Sequence, residues 1–214
     1  MKEYIPNLTE KEIKENHRHF VERVKFYRQR GMDHFEDRRL ILEKAGRLKG
    51  KILELGAGSG YTTLTLARAG YEVVGIDNDE EMLKITALNL AYYGVLDRVG
   101  LYAMDADLLL FGNAGFDNVV AVALFHHLAS PDKVLSEMDR VLKEDGKMVI
   151  ADFNKKGLAI IRSVHHTEGR DHEDLGVGQE YISSYLSGLE YDVRHYEDEF
   201  QWVLMGLKNK SERG

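Results

Sequence analysis

The chain has 214 residues and a formal net charge of -7, with 43% hydrophobic and 30% charged residues. This composition is typical of one globular domain with a substantial core. The acidic balance argues against a nucleic-acid partner, because proteins that bind phosphate backbones usually carry a basic surface. Cysteine is absent from the sequence, which excludes disulfides, thiolate metal ligands and cysteine nucleophiles.

The N-terminal segment is too polar for a signal peptide. The longest apolar run, residues 119–125, is too short to cross a bilayer. We therefore expect no membrane segment and an intracellular, cytoplasmic location. The sequence leaves the oligomeric state unknown.

Two helices are predicted before the first strand. Thr9 and Glu12 have the spacing of a capping box, and apolar residues then recur at intervals of four and three. Gly31 ends this first helix. A second helix is predicted from about residue 33 to residue 48.

From Lys51 onward, short apolar segments alternate with amphipathic ones. Strands are predicted at 51–56, 71–77, 99–106, 116–123 and 147–153, and helices at 61–70, 79–94 and 130–142. Strands rich in Val and Ile with helices between them predict a parallel sheet that is covered on both faces.

The C-terminal part follows a different pattern. After a predicted helix at 178–189, two strands at 191–196 and 200–207 are joined by a short acidic turn. Such a short turn requires an antiparallel pair. The predicted fold is thus one doubly wound α/β domain over residues 1–214, with a mainly parallel seven-stranded sheet and one antiparallel strand near the C-terminus. Residues 154–178 fit no simple crossover and are predicted to be an insertion.

The stretch "ELGAGSG" at 54–60 places three glycines at alternate positions directly after the first strand. Glycine adopts backbone angles that other residues avoid and leaves room for a ligand against the main chain. Open α/β sheets bind nucleotide-like ligands at this edge, where the next helix aims its N–H groups. The Lys and Ser/Thr of a Walker A loop are missing, and a G-x-G-x-x-G loop would need glycine at Tyr61.

Acidic residues end the next two predicted strands. Asp77 follows the second strand, where its carboxylate can accept hydrogen bonds from both hydroxyls of a ribose. Asp105 ends the third strand and could accept from an adenine amino group, with the backbone near Ala106 pairing to the ring. Together with the glycine loop, these positions favour a ligand that contains a nucleoside.

Five segments, taken in their order along the chain, resemble the class I S-adenosylmethionine-dependent methyltransferases. The matching segments are 54–60, 73–79, 104–107, 116–128 and 138–153. The middle of the chain is most similar to the small-molecule group that includes ubiquinone- and menaquinone-biosynthesis enzymes. The resemblance implies a Rossmann-like fold, an S-adenosyl-L-methionine cofactor and methylation of a small-molecule acceptor. It also implies that the N-terminal helices within 1–50 form a substrate-covering lid.

By the same resemblance, the cofactor would lie across the carboxyl ends of the first four strands. The expected cofactor-binding residues are Glu54, Gly56, Ala57, Gly58, Gly60, Asp77, Asn78, Met82, Asp105, Ala106, Ala121 and Val122. The glycine loop would line the methionine part, and Asp77 would hold the ribose. Glu54 has a second interpretation, in which it only caps the N–H groups of the loop.

An acceptor that carries a proton at neutral pH needs a general base. The catalytic candidates are His126 and His127, at the carboxyl end of the fourth strand. His126 is the preferred base, with a pocket-lining role as its alternative, and His127 is interpreted as more structural. The (N/D)-P-P-(Y/F) segment used for amide or base-amino nitrogens is missing. Methylation of pyrimidine C5 through a cysteine adduct is excluded as well.

Three histidines, His165, His166 and His172, lie within the predicted insertion among several carboxylates. Imidazole and carboxylate are suitable ligands for Zn, Fe, Ni or Mn. Their spacing matches no tight metal motif, so we expect no metal site here. A solvated loop is the preferred alternative to a metal site. In an intermediate interpretation, which we favour, the insertion covers the acceptor pocket and shapes specificity, because it follows the fifth strand.

Other functions stay open at this point. One is methylation of RNA or protein, which a basic surface near the pocket mouth would favour. Another is a protein that binds S-adenosylmethionine without transferring its methyl group. An NAD-linked oxidoreductase is a more distant alternative.

Overall fold

The structure is a computed structural model that describes residues 3, 4, 6–167, 169 and 175–208. Its strands are β1 (Ile52–Leu55), β2 (Val73–Asp77), β3 (Val99–Ala103), β4 (Phe116–Val122), β5 (Leu142–Phe153), β6 (Tyr191–Glu197) and β7 (Gln201–Lys208). They form one sheet of seven strands in the order β3-β2-β1-β4-β5-β7-β6.

Helices pack against both faces of this sheet. They are α1 (Glu10–Arg28), α2 (His34–Ala45), α3 (Tyr61–Arg68), α4 (Glu80–Tyr92), α5 (Pro131–Val141), α6 (Lys155–Thr167) and α7 (Gln179–Gly188). Successive side chains of a strand point to opposite faces. Accordingly, Val120 of β4 packs in a core cluster with residues of α1–α4. Its neighbour Val119 packs in the other cluster, with α5 and α7.

The strand directions confirm the predicted topology. The pairs that join β1–β5 are all parallel, whereas β7 pairs antiparallel with both β5 and β6. β7 is therefore the one strand of this sheet that runs in the opposite direction. Because the carboxyl ends of the parallel strands meet at one edge, the segments that follow β1, β2, β4 and β5 converge there.

The N-terminal helices follow the predicted signals closely. The hydroxyl of Thr9 accepts from the Glu12 amide, and the Glu12 carboxylate accepts from the Thr9 amide at 3.0 Å, so the capping box is confirmed. Asp33 caps α2 with its carboxylate. The second helix ends at Ala45, earlier than predicted, because Gly46 adopts a positive φ of 65°.

The prediction of a solvated loop is wrong for His165 and His166, which lie in the last turn of α6. Ile161 and Val164 of this helix are buried in a small core cluster, and Leu158 packs against the same cluster. This spacing of three places all three on one helix face. His172 lies outside the described residues. Within the described ranges, no group of three His, Cys, Asp or Glu side chains is arranged to hold a metal ion.

None of the helices in the described part of the chain combines the length and the apolar character that crossing a membrane requires.

Gly60 joins the glycine loop to α3 with a φ of 82°, a conformation that strains other residues. A Cβ added there would lie 3.0 Å from Thr86 Oγ1 and 3.2 Å from Thr86 Cα. We expect Gly60→Ala to lower the free energy of unfolding by ~1–3 kcal/mol in urea titrations. Gly112→Ala is the control, because its Cβ would have no neighbour within 4 Å among the described atoms. Equal stability of the two variants would contradict this interpretation of the loop.

Candidate functional site

The glycine loop and the ends of β4 and β5 enclose a cavity of about 190 Å³. Six of the predicted site residues line it, namely Gly56, Ala57, Gly58, Val122, His126 and His127. Side chains from the N-terminal helices close it from the other side, including Tyr27, His34 and Arg38. The wall is completed by the start of α3, by Phe153 at the end of β5 and by Ile161 and His165 of α6.

The glycine loop is held in shape by hydrogen bonds to β2 and α4. The Gly58 amide donates to Asp77 Oδ2 at 2.8 Å, and the Thr86 hydroxyl donates to the Gly58 carbonyl at 2.7 Å. Gly56, Gly58 and Gly60 all have positive φ. A Cβ at Gly58 would meet, among the described atoms, only the Gly56 carbonyl oxygen at 3.9 Å. The exposed main chain of the loop is therefore open to a ligand.

The expected nucleoside-binding residues lie beside this cavity, at the neighbouring strand ends. Asp77 Oδ1 accepts from the Asp79 amide at 3.0 Å, which fixes the carboxylate while leaving lone pairs for a ligand. The backbone carbonyl of Asp77 accepts a hydrogen bond from the Met104 amide at 2.9 Å, and this bond joins the ends of β2 and β3. Asn78 and Asp105 are exposed, and Met82 and Ala106 are half-buried. Their contact with a nucleoside stays a prediction.

Glu54, Gly60 and Ala121 are not among the residues that line the cavity. The Glu54 side chain is buried, and its Oε2 has no hydrogen-bond partner among the described residues. Burial raises the pKa of Glu54 to about 8, although nearby Thr63 and Arg38 act in the opposite direction. At neutral pH most of this carboxyl is therefore protonated.

His126 is held against β5 by a buried carboxylate. It lies in the single turn Phe125–His127 that follows β4, and its Nδ1 is 2.6 Å from Asp152 Oδ1. Asp152 also accepts from the backbone amides of His126, at 3.1 Å, and Phe153, at 2.8 Å. A carboxylate at Nδ1 favours the tautomer with hydrogen on that atom, which leaves the lone pair on Nε2. His127 is exposed at the rim, with its ring 3.9 Å from that of His126.

Ala123 produces the turn that brings His126 back to β5. It has a positive φ of 56°, which is unusual for a residue other than glycine. Its amide donates to the Ala151 carbonyl at 2.8 Å and so holds this conformation. Strained residues of this kind are concentrated at functional sites.

Two buried polar residues of the cavity, His34 and Arg38, belong to α2 and were not predicted. Burial lowers the pKa of His34 to about 4, with a smaller effect in the same direction from the Arg38 charge. Burial also lowers the pKa of Arg38. Asp152 was missed as well, although an acid near the end of the fifth strand is a signal that the sequence contains.

A larger cavity of about 680 Å³ adjoins the site along α1. Phe20 and Phe26 of α1 and Ile85 of α4 give it apolar walls, and Ser59 of the glycine loop lines both cavities. The Phe20 ring stacks on Tyr61 at 4.9 Å between centroids. The N-terminal helix thus forms part of the wall beside the loop.

The sequence and the structure were compared with those of known proteins. Residues 53–150 match the family model described as a methyltransferase domain. "Uncharacterized methyltransferase YcgJ" of Bacillus subtilis is 25% identical over 170 residues, which cover 79% of this chain and 67% of that protein. "Ubiquinone biosynthesis O-methyltransferase" of Caulobacter vibrioides is 34% identical over 148 residues, which cover 68% of this chain and 52% of that protein.

The crystal structure of the PH0226 protein from Pyrococcus horikoshii OT3 superposes with a TM-score of 0.71 at 19% identity. The match covers 86% of this chain and 92% of that one and confirms the predicted fold. Fold, glycine loop and family model agree in identifying residues 53–150 as a class I S-adenosylmethionine-dependent methyltransferase domain. Its relatives include quinone-biosynthesis enzymes, as the resemblance implies. The chain spans about half to two thirds of the length of the two curated relatives described above.

The raised pKa of Glu54 has a consequence for stability. Because its pKa is about 8 in the folded state and ordinarily 4.5, the folded state holds a proton that the unfolded state loses between these values. The stabilisation that this retained proton gives the folded state is therefore fully present below pH 4.5 and is lost as the pH rises to about 8. Between these pH values the free energy of unfolding of the wild type should fall by an amount on the order of a few kcal/mol. We expect Glu54→Gln to reduce this fall, as measured by urea unfolding at a series of pH values.

The exposed Glu144→Gln variant serves as the control and should retain the wild-type pH dependence. If Glu54→Gln and Glu144→Gln gave the same profile, Glu54 would not be the buried acid responsible.

Proposed function

We propose that the chain transfers a methyl group from S-adenosylmethionine to a small-molecule acceptor, and that His126 removes a proton from that acceptor. The observation that carries this proposal is the 2.6 Å contact between His126 Nδ1 and Asp152 Oδ1, in a cavity that the glycine loop also lines. This contact supports the assignment of His126 as an oriented base next to the loop that is expected to bind the cofactor.

The described residues fit the cofactor. Gly56 and Gly58 offer bare main chain to its methionine part, and Asp77 presents a fixed carboxylate for the ribose. Asp105 and Ala106, after the adjacent strand, are the proposed adenine contacts. When bound, S-adenosylmethionine supplies a methyl group that its sulfonium has already activated.

The protein then has to orient the acceptor, exclude water and accept a proton. His126 is 2% exposed, and Asp152 is 3% exposed, so bulk water competes little for the base. Asp152 holds the imidazole and stabilises the positive charge that His126 gains when its Nε2 takes the proton. An oxygen acceptor suits this arrangement, and one relative is named as an O-methyltransferase.

The acceptor is proposed to be small and partly apolar. The cavity along α1 has apolar walls from Phe20, Phe26 and Ile85, and it shares Ser59 with the smaller cavity. A net charge of -7 supports a small molecule over RNA. A cytoplasmic location remains part of this proposal.

Calorimetry with S-adenosylhomocysteine tests the proposed cofactor site. We expect the wild type to bind this product, and Asp77→Ala to weaken binding by ~1–3 kcal/mol because a charge-assisted hydrogen bond is lost. Asp145→Ala removes an exposed carboxylate from the opposite end of β5 and should bind normally. If Asp77→Ala also bound normally, the ribose assignment would have to be withdrawn.

Transfer of labelled methyl groups into the small molecules of a cell extract tests the reaction and the base. We expect His126→Ala to slow labelling roughly 10²–10⁴-fold, the usual contribution of a general base, while affinity for S-adenosylhomocysteine is unchanged. Asp152→Asn should slow it too and shift its pH profile, because the imidazole loses its orienting carboxylate. His195→Ala, exposed on the edge strand β6, is the matched control. Equal rates in all four proteins would exclude His126 as the base.

A further inference from the structure

We propose that Asn16 binds a hydrogen-bond donor of the acceptor, a hydroxyl or an N–H group that is separate from the group to be methylated. Asn16 lies on α1 and lines the cavity of about 680 Å³ that adjoins the glycine loop. The apolar walls of this cavity attract an apolar molecule, but the hydrophobic effect has no direction and cannot orient it. A polar group that is fixed within such a wall supplies the orientation.

The amide group of Asn16 is oriented by two hydrogen bonds that begin at the glycine loop. Asn89 of α4 is fully buried, and its Nδ2 donates to the Ser59 carbonyl at 2.9 Å. Because a carbonyl oxygen can only accept, the nitrogen of the Asn89 amide must face the loop, and its Oδ1 is left to accept. Asn16 Nδ2 donates to this Oδ1 at 2.7 Å. The Asn16 amide therefore has a single orientation, with its nitrogen toward Asn89.

This orientation leaves the oxygen of Asn16 for a ligand. The residue is half-buried, and within the described ranges its Oδ1 accepts no hydrogen bond. The oxygen is also accessible rather than buried. An uncharged amide oxygen accepts hydrogen bonds from a hydroxyl or an N–H group and cannot bind an anion. The partner that fits it is thus a donor group of the ligand.

Two contacts between α1 and α4 fix the backbone on either side of Asn16. One turn earlier, Glu12 Oε1 lies 2.8 Å from Lys84 Nζ. At the next residue, the ring of His17 stacks on that of Tyr92 with 3.4 Å between centroids. A polar group that is already held in place adds little to the cost of binding a ligand.

The other polar side chains of this cavity are engaged by solvent or by the protein. His19 and Glu22 lie 3.9 Å apart, and their side chains are 75% and 76% exposed. Arg23 donates to the Tyr27 hydroxyl at 3.4 Å. The hydroxyl of Thr167 donates to two backbone carbonyls of its own helix. Bulk water therefore competes at the exposed pair, and internal partners occupy the other two groups.

The positions of the two cavities indicate the class of acceptor. This inference rests on the proposed function, which places methyl transfer at His126 and the acceptor along α1. His126 lines the 190 Å³ cavity, Asn16 lines the larger one, and Ser59 lines both. The group that Asn16 binds is therefore not the one that His126 deprotonates. The acceptor that fits is an apolar molecule with two separate donors, one that is methylated and a second that orients it.

Phenol and toluene test this contact, because they differ by a hydroxyl in place of a methyl group. Their binding is followed by NMR through the methyl resonances of Ile85, which lines the same cavity. We expect Asn16→Ala to lower the ratio of phenol affinity to toluene affinity roughly 2- to 12-fold, the contribution of one uncharged hydrogen bond. Asn89→Ala frees the Asn16 amide to rotate and should lower the same ratio by a smaller factor.

Asn7→Ala is the matched control, because Asn7 is exposed and precedes α1, and it should retain the wild-type ratio. Thermal unfolding without a probe verifies that each variant is folded. The inference is overturned if Asn16→Ala retains the wild-type ratio, or if neither probe moves the Ile85 resonances of the wild type. Failure of the proposed function is a different result, since the wild type would then bind no S-adenosylhomocysteine or transfer no methyl group, while the ratio would still depend on Asn16.

Discussion

The site depends on the hydrogen bond from the Gly58 amide to the Asp77 carboxylate, at 2.8 Å. This contact joins the loop after β1 to the end of β2, so it fixes the backbone of the loop relative to the neighbouring strand. The same carboxylate caps the turn into α4 through the Asp79 amide. Thr86 of α4 in turn binds the Gly58 carbonyl at 2.7 Å. The shape of the loop is thus determined before any ligand arrives, which lowers the cost of binding.

Around this rigid loop, the protein buries an unusual set of polar groups. Glu54 and Arg38 are buried without full hydrogen bonding among the described residues, and His34 is buried beside them. Such groups destabilise a fold that has to desolvate them. Their concentration around the glycine loop indicates that the fold tolerates a loss of stability to keep a polar environment at this site. In contrast, the surface arginine Arg39 is exposed and has two carboxylate partners on its own helix.

The architecture could be predicted from the sequence because it depends on periodicity and on short connections. The alternation of apolar strands and helices from Lys51 predicted the parallel sheet, and the acidic turn before β7 predicted its antiparallel strand. The glycine spacing and Asp77 predicted where a ligand would lie. These signals are local, so they can be recognised in the sequence without knowledge of tertiary contacts.

What the sequence did not reveal depends on tertiary packing. Arg38 and Arg39 are adjacent on a helix, and only packing against the sheet decides which of them is buried. Asp152 and His126 are distant in sequence and meet because β4 and β5 are parallel neighbours. The α6 helix was predicted as a loop because its charged and histidine-rich end obscured the apolar spacing of Ile161 and Val164.

A crystal structure with S-adenosylhomocysteine bound would examine the proposed site most directly. We expect the ribose hydroxyls on the Asp77 carboxylate, the amino-acid part along Gly56 and Gly58, and the sulfur in the cavity that His126 lines. A ligand bound elsewhere, or a sulfur remote from His126 and Asp152, would contradict the proposed methyl-transfer site.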